Sequence, residues 1–162
     1  ESVIGVAGET LETLSVLPDD AYVAESVVEA VAFADLVIIG PGSLYTSILP
    51  NLLVNGMRET LEACSAPIVF VCNIVTEVSE NNYTLASDYV QAVRSHGGVD
   101  PTHILMNAGA GGNSVDSEDF VVPVPKIEGF LGRLVVSDLL NEDNPSQHDP
   151  QKLARKLMGF IR

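Results

Sequence analysis

Apolar positions along the chain switch between two patterns, and the switch predicts helices separated by buried strands. In Glu25–Ala34, ESVVEAVAFA, residues Val27, Val28 and Val31 share one helical face. Asp35 then breaks the pattern before LVIIG, Leu36–Gly40. That run is apolar throughout and rich in β-branched residues, which predicts a strand buried on both faces. Asn55-Gly56 reads as the next helix start, with Asn55 as N-cap, Met57 and Leu61 inward, and Arg58, Glu59 and Glu62 outward. IVFVC, Ile68–Cys72, is a second apolar strand, introduced by Ala66-Pro67.

A helix capped by Thr84 is expected to run to about His96, with Leu85, Tyr89 and Val93 at spacing four and Gly97-Gly98 as its stop. HILMN, His103–Asn107, is a third strand. Ala108–Asp119 is small and polar and reads as a flexible loop. Phe120–Val124 and Arg133–Leu139 read as short strands, and Pro123 places the first at an edge or in irregular structure. The final helix has Asp149 as N-cap, Pro150 at its first position, and Leu153, Leu157, Phe160 and Ile161 as its apolar stripe. Helices alternating with buried strands predict an α/β fold with a mostly parallel sheet covered on both faces.

Composition supports one globular domain over 1–162: hydrophobic residues make up 46% and charged residues 19%. No apolar run reaches the roughly 20 residues of a membrane-spanning helix. ESVIGVAGETLE, at the start, has neither the basic beginning nor the apolar core of a signal peptide. The two cysteines, Cys64 and Cys72, have no metal-site spacing and read as buried thiols. The formal net charge of −14 opposes binding to nucleic acid and to anionic membranes. An anionic ligand must therefore be held by backbone N–H groups, a helix dipole, a few basic side chains or a bound cation.

In a parallel α/β sheet, ligands bind at the carboxyl ends of the strands. Two strand ends carry useful chemistry. The first is Gly40-Pro41-Gly42-Ser43, where glycines permit close backbone approach and the hydroxyls of Ser43, Thr46 and Ser47 can donate to phosphate oxygens. The alternative is a plain strand-to-helix turn with Ser43 as N-cap. At the second, Asn73 either reads a ligand or closes an Asx-turn; Asn107 has the same two readings. The histidines form no triad or zinc spacing: His96 reads as a helix-end cap, His103 starts a strand and His148 precedes a cap. Tyr45 stands where a nucleophile elbow needs glycine. Asp116, Glu118 and Asp119 read as solvated acids, with metal ligation as the alternative. Lys152, Arg155 and Lys156 read as the wet face of the last helix.

ADLVIIGPGSLYTSILPNLLVNGMRETL (Ala34–Leu61) followed by APIVFVCNIVTE (Ala66–Glu77) resembles the 2-phospho-L-lactate transferase (CofD)-like superfamily. Within it, GPGSLYTSI-PNLLV and VCN-x-x-T resemble the branch of the gluconeogenesis factor YvcK. Asp88-Tyr89-Val90, Val135–Leu140, His148-Asp149 and Lys152-Leu153-Ala154 extend the resemblance more weakly.

The resemblance implies a Rossmann-like three-layer α/β/α fold, a cytoplasmic protein and a nucleotide-linked ligand. The YvcK branch binds UDP-sugars such as UDP-N-acetylglucosamine and is linked to gluconeogenic growth and cell shape. CofD transfers a phospholactyl group to a deazaflavin with a guanine nucleotide and magnesium. Carried over by position, the expected ligand- and phosphate-binding residues are Gly40, Gly42, Ser43, Leu44, Thr46, Ser47, Asn51 and Asn73. The resemblance assigns no catalytic residue and no metal ligand. A non-catalytic binding protein, expected as a homo-oligomer (dimer), is favoured over a transferase using Mg2+.

Two departures stand out. The family's GGGTG loop is absent, and the chain opens near its G-E-S motif, kept as Glu1-Ser2. That implies a C-terminal portion, with the first strand or strands, the Gly-rich loop and half of the site outside it. The family's P-G-E-T is replaced by Val78-Ser79-Glu80-Asn81, which implies an altered loop.

Overall fold

Four parallel strands organise the molecule. The computed structural model describes residues 13–77, 85–108, 120–121 and 129–161. In chain order the elements are α1 (Glu25–Ala32), β1 (Val37–Ile39), a π-helical turn (Leu44–Ile48), α2 (Leu49–Leu52), α3 (Met57–Glu62), β2 (Ile68–Val71), β3 (Thr76–Glu77), α4 (Ala86–Gly97), β4 (His103–Asn107), β5 (Phe120–Val121), β6 (Arg133–Ser137) and α5 (Pro150–Met158). The main sheet has the order β1-β2-β4-β6, with every neighbouring pair parallel. β3 and β5 form a separate antiparallel pair.

The strand interiors explain the layers. All four β2 residues are buried, as are Ile104, Leu105 and Met106 of β4. Successive β2 side chains point to opposite faces. Ile68 and Phe70 join Leu61, Tyr89, Val93 and Ile104 in one core cluster. Val69 and Val71 join Leu105 and Leu139 in a second, against which Leu153, Leu157 and Phe160 pack. Helices α2, α3 and α4 therefore supply one face, and α5 the other. This is the expected α/β architecture.

β1 departs from expectation. Its only strand partner among the described residues is β2, and Ile38 is 45% exposed. An apolar run looks the same in a central strand and in one with an open edge. α1 is also less buried than its valine stripe suggests: Val27 and Val28 are exposed at 37% and 40%. α1 packs against α3, and only Val31 of the three valines reaches the core.

Asn55 is not the N-cap of α3. Gly56 holds that position at φ 82°. A Cβ on Gly56 would stand 2.6 Å from the Tyr22 ring, so the site excludes side chains by contact as well as by backbone. The Asn55 amide instead donates to the carbonyls of Asp19 (2.8 Å) and Ala21 (3.0 Å). Thr84 lies outside the described residues. The visible cap of α4 is Asp88, whose carboxylate accepts the Leu85 N–H at 2.9 Å. The α5 cap is as expected: Asp149 accepts the N–H groups of Gln151 and Lys152, both at 2.8 Å. Residues 109–119, the expected flexible loop, and 78–81, the departing loop, fall outside the described residues.

Candidate functional site at the carboxyl end of the sheet

β1 ends at Gly40, which has φ +80°. A Cβ there would lie 3.0 Å from the Val71 carbonyl oxygen and 3.3 Å from Ile48 Cδ1. Glycine is thus required both by the left-handed backbone and by the close approach of β2. The Gly40-Pro41 peptide is cis. Gly42 is different: a Cβ there meets nothing nearer than Ser47 Cβ, at an ordinary 3.6 Å.

Asn73 holds this turn. Its Oδ1 accepts the Gly42 N–H at 3.0 Å, and its Nδ2 donates to the Gly42 carbonyl at 3.1 Å. The amide thus pairs with the backbone of Gly42 in both directions, across 31 residues of sequence. The geometry matches neither an Asx-turn nor a free ligand-reading amide: Asn73 positions the turn. Net hydrogen bonds of this kind contribute about 0.5–1.5 kcal/mol each.

Ser43 caps the π-helical turn. Its hydroxyl oxygen accepts the Thr46 N–H at 3.2 Å and also the Thr46 hydroxyl. The N-cap reading and the anion reading of Ser43 are therefore compatible, since the cap orients the first turn towards the strand end. Asn51 donates to the Ser47 carbonyl at 2.6 Å. Thr46, Ser47 and Asn51 are exposed, whereas Leu44 is 2% exposed and belongs to the core. Leu44 offers its backbone alone. Gly40, Pro41, Ser47, Ile48 and Asn51 line a cleft of ≈ 330 Å³ with Ile38, Ile39 and Leu52. No residue from Gly40 to Leu53 carries a charge, so an anion here meets dipoles and hydroxyls.

The other strand ends are tied in the same manner. Asn107 Oδ1 accepts the Leu139 N–H at 2.9 Å, linking β4 to the exit of β6. Its partner lies 32 residues away, which again differs from an Asx-turn. His148 pairs with Leu140 in an isolated bridge and packs towards the end of β2. Burial lowers its pKa, and the Cys72 backbone partly opposes that shift. Its Nε2 is buried without a hydrogen-bond partner. The sequence marked His148 only as a residue before a cap, and no local signal placed it beside β2.

The remaining sequence candidates have structural roles. Cys72 is fully buried, which pushes its thiol up to about 12 and leaves it un-ionised. Cys64 is half-buried and donates to the Val31 carbonyl at 3.4 Å. The His96 ring meets Tyr45 edge-on at 6.3 Å, and His103 meets Phe160 at 5.0 Å. Among the described residues, no three His, Cys, Asp or Glu side chains gather as a metal site. Asp116, Glu118 and Asp119 lie outside them. Among the described residues, no helix is long and apolar enough to cross a membrane.

The chain is similar to known proteins over nearly its whole length. A gluconeogenesis factor of Listeria monocytogenes is 39% identical over 99% of this chain and 52% of its own length. One from Halalkalibacterium halodurans is 33% identical over 98% of this chain and 52% of its own length. A crystal structure of a Bacillus halodurans protein superposes with a TM-score of 0.82 at 28% identity, covering 94% of this chain and 52% of that one. The chain thus spans about half the length of the relatives it matches. The family model for 2-phospho-L-lactate transferase CofD matches residues 1–160, and the chain belongs to the CofD family.

Proposed function

We propose that the protein binds a nucleotide-sugar of the UDP-N-acetylglucosamine type and acts as a regulatory gluconeogenesis factor in the cytoplasm, with a role in carbon metabolism and cell shape. The observation that carries the binding claim is the Gly40–Asn51 turn. Asn73 holds its backbone, Gly42 leaves space beside it next to Ser47, and Ser43 and Thr46 add hydroxyls bonded to each other. Pyrophosphate is a chemical match for such a turn, because backbone dipoles and hydroxyls hold it without a charged side chain. The relatives named gluconeogenesis factor support the carbon-metabolism part of the reading alone. Among the described residues β1 pairs only with β2 and Ile38 is exposed, so this edge can take a further strand, from the rest of the natural protein or from a second chain in a dimer.

The test is Gly42→Asp, measured by calorimetric titration of UDP-N-acetylglucosamine into the natural protein carrying this sequence. The space at Gly42 accepts a Cβ, so the fold is expected to survive. A carboxylate about 4 Å from a phosphate is opposed by roughly 1–4 kcal/mol, so affinity should fall at least about fivefold. Unchanged affinity in a folded variant sinks the phosphate assignment.

The family model's description, 2-phospho-L-lactate transferase, favours a second reading, a phospholactyl transferase; the guanine nucleotide and Mg2+ of that reading rest on the resemblance alone. Among the described residues, no three His, Cys, Asp or Glu side chains gather for that metal. Turnover of a deazaflavin acceptor by the natural protein decides for this reading; no turnover, together with UDP-sugar binding, decides against it.

A further inference from the structure

The protein carries 22 acidic and 8 basic residues, yet three of the basic ones line a single groove. Lys152, Arg155 and Lys156 of α5 face Ser137 and Asp138 at the end of β6 across a space of ≈ 260 Å³. A water takes about 30 Å³ in the liquid, so the groove admits a polyatomic ion with part of its hydration. Spacing of three and four puts the three cations on one side of the helix.

Their partners differ in an informative way. Lys152 is held by Asp138 Oδ2 at 2.9 Å and by the Leu140 carbonyl at 3.0 Å, with Glu142 at 3.5 Å. Hydrogen bonding to Lys152, helped by the Leu140 N–H, holds the Asp138 carboxyl below its usual range. The one acid lining the groove is therefore already matched by a cation. Arg155 and Lys156 have no acidic partner among the described residues. Arg58 and Arg94, by contrast, each hold a carboxylate, Glu62 at 2.8 Å and Asp100 at 2.5 Å. Two uncommitted cations in one groove of so acidic a molecule are more than solubility requires. Their position in the last turn of α5 complements the helix dipole, but that stabilisation needs no groove and no facing serine.

We propose that this groove is a second oxyanion site, which takes the phosphate of a phosphomonoester. Arg155 supplies a planar pair of donors, Lys156 a point charge and Ser137 a hydroxyl. Lys152 acts as a positioning residue that neutralises Asp138. The site is separate from the Gly40–Asn51 turn: β1 and β6 are three strand spacings apart, about 14 Å. It does not rest on the nucleotide-sugar reading.

The test titrates the natural protein carrying this sequence with inorganic phosphate and with glycerol 3-phosphate, and follows amide and arginine side-chain NMR signals against sodium chloride at equal ionic strength. Both phosphates should give saturable shifts at Ser137, Asp138, Arg155 and Lys156. The double variant Arg155→Gln, Lys156→Gln should weaken binding roughly tenfold, and the charge-preserving Arg155→Lys, Lys156→Arg should largely restore it. Unchanged signals elsewhere verify that each variant is folded. Shifts that never saturate and are matched by chloride overturn the proposal, because they report screening alone. Saturation by inorganic phosphate without glycerol 3-phosphate overturns it too. So do saturable shifts confined to Gly42–Ser47, an outcome that leaves the nucleotide-sugar reading intact.

Discussion

The two proposed anion sites, at the β1 and β6 edges of the main sheet, would work by opposite means. At β1 the turn has no charged residue, and its geometry depends on a glycine at φ +80° and an asparagine that grips the backbone of Gly42. At β6 the groove rests on cationic side chains of α5, with little demand on the backbone. The difference predicts different sensitivities. A site made of dipoles fails when its backbone moves and tolerates salt. One made of surface cations fails when charge is removed and weakens as salt rises.

The largest expected effect at the β1 end comes from Gly40→Ala. It forces an L side chain into a left-handed conformation, 3.0 Å from the Val71 carbonyl oxygen. Denaturant unfolding should show a loss of at least about 1–2 kcal/mol. Loss below a few tenths of a kcal/mol means the turn is not held where the structure puts it. Next is Asn73→Ala, which leaves the Gly42 N–H and carbonyl without partners. Both residues are half-buried and water can replace the amide, so a loss of about 0.5–1.5 kcal/mol is expected, with weaker UDP-N-acetylglucosamine binding than stability alone explains. If binding is untouched in the folded variant, Asn73 does not position the site.

A smaller effect is expected from pH. His148 has its folded pKa lowered, chiefly by burial. Its contribution is fully present above the unfolded value near 6.5, and protonation of the unfolded chain removes it as pH falls through the window below 6.5 to the folded value. Comparing unfolding of the protein and its His148→Gln variant between pH 7.5 and 5 checks this, at roughly the scale of a single histidine. Equal slopes contradict it. The smallest effect at the β6 end is Lys152→Met, which frees Asp138. Its carboxyl should then titrate closer to the ordinary range, because its largest stabiliser is gone. Side-chain NMR of Asp138 reads that change directly.

Much of this fold was legible because its signals are local. IVFVC and HILMN announce strands by composition, and Asp149-Pro150 announces α5 by its cap chemistry. The glycines of the turn were legible as a place of close approach. The clamps were not, because each joins residues far apart: Asn73 with Gly42, Asn107 with Leu139, His148 with the end of β2. For both asparagines the expected local Asx-turn is replaced by a partner that tertiary packing supplies. The open edge of β1 was hidden for a different reason. Val37–Ile39 has the apolar content of a central strand, and neighbours rather than composition decide its exposure. The groove at β6 was hidden by a pattern that fits an ordinary wet helix face equally well.

The central claim is that the Gly42–Ser47 turn receives the pyrophosphate of a nucleotide-sugar. Amide NMR of the natural protein during titration with UDP-N-acetylglucosamine tests it most directly. The account predicts saturable shifts centred on Gly42, Ser43, Thr46 and Ser47, echoed at Asn73. Saturable binding that leaves those five residues unmoved contradicts it.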